Sequence, residues 1–328
     1  MKLEKLVEAY ENNKIDKRLY WDLLREKLTA LDEIHQLLKS NFECNYITIS
    51  KDGIILNFDD DINLLFDFSQ KICRSEFILG KTERESFDFL DKIINEIDNF
   101  KLLSNSKDTC EEVKIIDIGA NVGRVSLHFA KHHKSAVIYA LEPVKTTFCW
   151  LERNLSLNKN NNIKPFNFGC YNSNEDLTFY VPIENEAASA RPIEDDYYIK
   201  NDKEEKVQKI VCKVKTLDSF VDEQEIDSVD FIKVDTEGAE KYVFEGAVKV
   251  LEKFKPIVYT EMLRKHAARF SYHPNEIIKM FKSLGYSAYI IINNKLCYFE
   301  EMDDSTQETN FLFLHNKVHS YILDKYKI

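Results

Sequence analysis

Two acidic residues stand at the ends of two apolar runs, each followed by residues that turn a chain. Asp117 closes the run from Val113 and opens Asp117-Ile118-Gly119-Ala120-Asn121-Val122-Gly123. Glycines spaced G-x-x-x-G let the backbone pass close to a ligand, and a helix starting there offers free N–H groups. A carboxylate beside them suits a ligand carrying an ammonium group and repels a pyrophosphate. The spacing is not G-x-G-x-x-G, and no Gly-Lys-Ser/Thr follows for a phosphate loop. Taken alone, the segment also reads as a plain strand–turn–helix whose glycines only permit close packing. Glu142, ending Ala136–Leu141 and followed by Pro143, lies about twenty residues further on, where an acid can accept both ribose hydroxyls of a nucleoside. Together the pair fits a nucleoside with a cationic amino-acid tail.

A third constellation is Phe231-Ile232-Lys233-Val234-Asp235-Thr236-Glu237-Gly238-Ala239-Glu240. An apolar strand again delivers polar residues at its carboxyl end, the edge where open α/β sheets hold ligands. Lys233 and Asp235 share a face if the strand persists. Asp235 and Glu237 can position an acceptor, take its proton, or bind a hard cation. Glu240 reads as a first-turn acid that favours a helix dipole. Beyond the run Pro256–Thr260 come Glu261 and a basic island, Arg264-Lys265-His266-Ala267-Ala268-Arg269, in an otherwise acidic chain. Arg264 and Arg269 have the fork geometry that recognises phosphate or carboxylate, although a solvated helix face explains them equally.

The elements that must position these residues alternate from Val113 onward. Apolar runs at 113–118, 136–141, 229–234 and 256–260 are separated by helical periodicity over Gly123–His133, Thr147–Leu157, Glu240–Phe254 and Pro274–Leu284. Strand followed by helix implies parallel pairing in a doubly wound sheet. Ser287–Ile292, Leu296–Phe299 and Asn310–Leu314 follow one another without helices, so an antiparallel edge is expected, with an Asn293-Asn294 hairpin. Before Val113, Met1–Lys39 has helical spacing, residues 46–58 form a hairpin about Lys51-Asp52-Gly53, and Glu83–Phe100 reads as a helix. The polar segment Ser104–Glu112 divides an N-terminal helical and hairpin region, 1–104, from an α/β domain, 105–328.

The ordered set DIGANVG, ALEP, VKTLDSF, FIKVDTEGAE and PIVYTE, spread over about Val113 to Tyr286, resembles the FkbM family of methyltransferases. The resemblance implies a Rossmann-like, doubly wound seven-stranded sheet, S-adenosyl-L-methionine as methyl donor (leaving S-adenosyl-L-homocysteine), and O-methylation of a sugar, nucleotide sugar or surface glycan. It implies that Asp117, Gly119, Asn121 and Gly123 line the methionine end, Glu142 the ribose, and Gly169 and Cys170 the adenine. Asp235 and Glu237 would face the acceptor, with Lys233, Arg264 and Arg269 as further acceptor contacts. A sugar hydroxyl must lose its proton as it attacks; Asp235 ranks first as base, then Glu261, then His266. The competing readings are a nicotinamide-dependent oxidoreductase, disfavoured by the glycine spacing and Asp117, and a non-catalytic scaffold, disfavoured by retention of Asp117, Gly119, Gly123 and Glu142. Metal dependence stays open.

Composition limits the partners. A net charge of -11 disfavours nucleic-acid backbones and anionic lipid over the surface as a whole. No apolar stretch reaches the roughly 18–20 residues of a membrane span, and Met1–Asn13 lacks the uninterrupted apolar core of a signal peptide. Seven dispersed cysteines without a C-x-x-C pair read as reduced thiols, so a cytoplasmic protein is expected. The N-terminal helices offer a homodimer contact.

Overall fold

The computed structural model describes residues 44–50, 53–58, 61–66, 84–104, 112–159, 162–182 and 207–328, with isolated positions among the first 23 residues and at 192. Apart from such positions, the helices expected over Met1–Lys39 and the interior of Ser104–Glu112 lie outside the described residues.

The centre is an eight-stranded sheet. In chain order its strands are β4 (Lys114–Ile118), β5 (Val137–Leu141), β6 (Ile163–Phe166), β10 (Phe231–Val234), β11 (Ile257–Glu261), β12 (Tyr286–Ile292), β13 (Lys295–Phe299) and β14 (Asn310–His315). Across the sheet they run β13-β12-β14-β11-β10-β4-β5-β6. The five from β11 to β6 are mutually parallel, and β14, β12 and β13 are antiparallel to their neighbours. The expected Rossmann-like sheet is therefore present, and the β12–β13 hairpin adds an eighth strand at one edge. Its turn residues Asn293 and Asn294 have φ of 51° and 58°, the left-handed pair that matches strand twist in a two-residue hairpin.

Chain order reverses at β4: the chain leaves it towards β5 and β6, then returns on its other side as β10 and β11. Such a switch point opens a crevice beyond the strand ends. In register, Lys233 stands beside Asp117 and Val234 beside Ile118, while Asp117 pairs with Ala140 and Ile118 with Leu141. The three motif-bearing strands thus end at one level.

Alternate strand residues feed two cores. Ile115, Phe231 and Ile257 face one side, packed by α1 (Arg84–Ser104) through Leu90, Ile93 and Ile94 and by α2 (Arg124–His132) through Phe129. Leu56, Phe58, Ile62 and Leu64 join the same cluster from a meander of β1 (Cys44–Ser50), β2 (Gly53–Phe58) and β3 (Asn63–Phe66). The described part of the N-terminal region therefore shares its core with the α/β domain. The third strand of the meander was not expected; asparagines on α3 (Lys145–Asn158) hold it, Asn154 and Asn158 accepting from Leu65 N and Asn63 N at 2.8 Å each.

Ile116, Ile232 and Val258 face the other side, against α4 (Leu217–Glu223), α5 (Glu240–Glu245), α6 (Val248–Phe254) and α8 (Asn275–Ser283). The single helix expected over Glu240–Phe254 is broken in two. At the break, a Cβ on Gly246 would lie 2.1 Å from the Tyr171 carbonyl oxygen, and Asp218 accepts from Lys249 N and Val250 N at 3.1 and 2.9 Å, capping α6. A small sheet β7-β9-β8 (Gly169–Cys170, Val207–Lys215, Glu175–Pro182) sits between β6 and α4 in the chain.

Candidate active site

The loop after β4 is built from left-handed residues, with φ of 77° at Gly119, 52° at Asn121 and 90° at Gly123. Gly119 is irreplaceable on space alone, because a Cβ there would lie 1.9 Å from the Asp235 carbonyl oxygen. The first and third motifs are thus in backbone contact across the switch point. Gly123 starts α2 against Leu151, which a Cβ would meet at 2.4 Å.

Asp117 is fully buried. Its Oδ2 accepts from Ser126 Oγ at 2.6 Å, and its Oδ1 has no hydrogen-bond partner. The closest cation to Oδ1 is Lys233 Nζ at 3.5 Å. That ammonium also lies 3.3 Å from the Gly119 carbonyl and 3.4 Å from Asp235 Oδ2. A buried lysine among three oxygens ties the ends of β4 and β10 together. Lys233 therefore contacts both Asp117 and Asp235.

Glu142 is buried directly after β5. Its Oε2 accepts from Asn121 N at 3.0 Å and its Oε1 from Val144 N at 2.8 Å. Burial pushes its pKa up to about 7, and the backbone donors and Lys233 only partly offset this. Asn121 reaches Glu142 through its backbone and so links the first two motifs. Asn167, unremarked in the sequence, donates its amide to the carbonyls of Glu142 and Pro143 at 2.9 and 3.1 Å. Gly169 adjoins the same turn: a Cβ there would stand 3.2 Å from Pro143. Cys170 is buried, and burial pushes its thiol well above the ordinary range. The thiol is therefore neutral.

Around the third motif, Glu240 has a more specific task than favouring a dipole. Its Oε1 accepts from Thr236 N, Thr236 Oγ1 and Gly238 N at 2.9, 3.0 and 3.1 Å. The Tyr272 hydroxyl lies 3.2 Å from Oε2 and 3.0 Å from the Gly238 carbonyl. This buried acid fixes the loop that displays Asp235 and Glu237. Asp235 has a side chain 42% exposed and faces Lys233. Glu237, at φ 56°, faces His266 Nδ1 at 3.3 Å. Glu261 stands one step beyond the Val234–Thr260 pair, on the strand next to Asp235.

His266 belongs to α7 (Arg264–Arg269), whose backbone carbonyl at His266 would meet a Cβ on Gly238 at 2.8 Å. Arg264 does not present a free fork. It is bound by the Asp304 carboxylate and, at 3.2 Å, by the Asp304 carbonyl. Arg269 is half-buried in the last turn of the same helix. Asp117, Glu142, Lys233 and Asp235 thus form one linked group, with Glu237 and His266 paired on the following loop and helix.

Residues 117–288, just over half the chain, match the family model described as the methyltransferase FkbM domain. The chain belongs to the FkbM methyltransferase family. A curated relative, Methyltransferase 1 of Beauveria bassiana (strain ARSEF 2860), is 27% identical over 143 residues, covering 40% of this chain and 57% of that protein. The solved methyltransferase FkbM of Methylobacillus flagellatus KT is similar over 62% of this chain and 43% of its own, with a TM-score of 0.40 and 14% identity. A putative O-methyltransferase from Klebsiella pneumoniae has a TM-score of 0.40 and 9% identity over 72% of this chain and 81% of its own. The chain thus spans little more than half the length of its curated relative and less than half of the solved FkbM protein. Membership of the FkbM family rests on the matched domain, not on these distant likenesses.

Proposed function

We propose that this FkbM-family chain is an S-adenosylmethionine-dependent methyltransferase that methylates a hydroxyl of a sugar, nucleotide sugar or surface glycan in the cytoplasm. The observation that carries the reading is the pair of buried acids at neighbouring strand ends, bridged by the glycine loop. Asp117 retains an oxygen without a hydrogen-bond donor, and Glu142 is held by Asn121 N and Val144 N. Each Glu142 oxygen keeps a lone pair for a ribose hydroxyl. Three carboxylates against one ammonium favour a cationic ligand and disfavour a pyrophosphate. The residues present therefore fit an adenosyl sulfonium better than a nicotinamide dinucleotide.

When bound, the cofactor supplies a methyl group already activated by its sulfonium. The chain's own work is to hold donor and acceptor in line and to remove the acceptor's proton. Asp235 is the base of first choice, at the crevice edge beside Lys233. Glu261 on the adjacent strand would serve an acceptor bound further towards β11. A second assignment has its own support: Glu237 beside His266 Nδ1 at 3.3 Å is the carboxylate–imidazole arrangement that orients a neutral base. For an anionic acceptor the basic candidates are Arg264, which also pairs with Asp304, and Arg269 of the same helix.

The test is incubation of the protein and S-adenosylmethionine with a panel of nucleotide sugars and glycans, read by mass spectrometry. A gain of one methyl on a hydroxyl supports the proposal. Methyl gain only on nitrogen or carbon acceptors would overturn its choice of oxygen.

A further inference from the structure

A second polar cluster occupies the opposite edge of the sheet. Three histidines from the end of α2 converge on one carboxylate from α1. Asp91 Oδ2 lies 3.0 Å from His128 Nε2 and 3.7 Å from His132 Nδ1, and Asp91 Oδ1 lies 2.9 Å from His133 Nε2. The helix makes this convergence available. His128 and His132 are one turn apart with rings stacked at 4.4 Å, and His133 ends the helix, its backbone already non-helical. His128 and His133 are buried, whereas the His132 side chain is 41% exposed.

We propose that Asp91, His128 and His132 bind a divalent first-row transition ion, with zinc as the reference ion, at a site remote from the methyl-transfer crevice. Among the described residues these three place their ligand atoms within 4.8 Å of one another. Tetrahedral ligands about 2.1 Å from zinc stand about 3.4 Å apart. The observed separations of 3.0 and 3.7 Å from Asp91 bracket that value. Two imidazoles and a carboxylate suit borderline ions such as zinc better than calcium or magnesium, which take oxygen ligands. His133 is the positioning residue: it donates to the other Asp91 oxygen, the contact that outer-shell partners make to ligating carboxylates. A cavity of about 370 Å³, lined by His132, His133, Asn95, Asp98 and Ser135, adjoins the cluster. It gives the ion an entry path and leaves room for a water as fourth ligand. Because Asp91 is on α1 and the histidines on α2, the ion would clasp the N-terminal region onto the FkbM domain.

The test uses the full chain without an affinity tag, stripped with chelator and titrated with zinc by calorimetry and with cobalt(II) by absorption. The proposal predicts one zinc per chain, a Tm that rises with zinc, and a tetrahedral cobalt spectrum without thiolate charge transfer. His132→Ala, at the exposed ligand, and Asp91→Asn should each weaken zinc at least tenfold. His133→Ala should weaken it about 10–100-fold while keeping one site. Absence of stoichiometric zinc, binding unchanged in His132→Ala and Asp91→Asn, or a thiolate charge-transfer band would each overturn it. Circular dichroism on each variant separates lost binding from lost fold.

Discussion

At the carboxyl-terminal edge of the sheet, Glu142 is buried with two backbone donors, and burial raises its pKa to about 7. At the amino-terminal edge, burial pushes on Asp91 in the same direction. There, hydrogen bonds and charge from His128 and His133 more than offset it, holding the carboxyl well below its usual range. The difference lies in what surrounds each acid. Asp91 has two imidazole side chains as its partners. Glu142 has only backbone N–H groups and a more distant lysine, and Asp117 beside it keeps an oxygen without a donor. Of these buried acids Asp117 alone keeps an oxygen without a hydrogen-bond partner, and on the proposed reading this edge binds a cationic, hydroxyl-bearing ligand.

The largest expected effect separates chemistry from binding within the crevice. Asp235→Ala should lower turnover by about 10²–10⁴-fold, the usual contribution of a general base, while S-adenosylhomocysteine affinity by calorimetry stays within about threefold. If His266→Ala shows that loss and Asp235→Ala does not, the Glu237–His266 pair is the base. Next in size, Glu142→Ala should weaken S-adenosylhomocysteine about 10–100-fold, as hydrogen bonds to a charged group contribute about 1.5–3 kcal/mol. Equal loss of cofactor in the Asp235 and Glu142 variants would collapse the division between them.

A pH series sharpens the contrast between the two edges. Glu142 has a raised pKa, so in the folded chain it stays protonated between about 4.5 and 7, where the unfolded chain has already ionised. Its contribution to stability is therefore favourable in acid and is lost as pH rises through about 7. If, as proposed, Glu142 holds the ribose as a carboxylate, S-adenosylhomocysteine should bind more tightly as pH rises towards 7 and then level off. Below 7 the loss should approach tenfold per pH unit. Calorimetry in buffers of different ionisation enthalpy should detect the released proton, and Glu142→Gln should abolish both effects. A flat profile in the unmodified protein would contradict the raised pKa. The smallest effect belongs to the surface: Arg264→Ala removes an exposed pair with Asp304 and should shift urea-derived stability by less than about 1 kcal/mol.

Much of this was legible because local chemistry and global position coincide. The glycine loop, the acid after β5 and the polar end of β10 all lie where a parallel sheet presents its ligand edge, so spacing alone located them. The partners that tune them were not legible. Ser126 on Asp117, Asn167 on the turn after Glu142 and Tyr272 beside Glu240 meet their targets only through tertiary packing. The break at Gly246 was hidden for a similar reason. Helical periodicity continues across it, and the close approach of Tyr171 that demands a glycine comes from just past β7, seventy-odd positions earlier. The pair of Arg264 with Asp304, forty positions away, gave no local sign either. The histidines at 128, 132 and 133 passed as an ordinary helix end, since Asp91 belongs to a different helix.

The most direct test of the central claim is a calorimetric titration of the unmodified chain with S-adenosylhomocysteine and, in parallel, with NADH at pH 8. The account predicts one S-adenosylhomocysteine per chain and no measurable heat from NADH. Saturable binding of NADH, with none of S-adenosylhomocysteine, would contradict it.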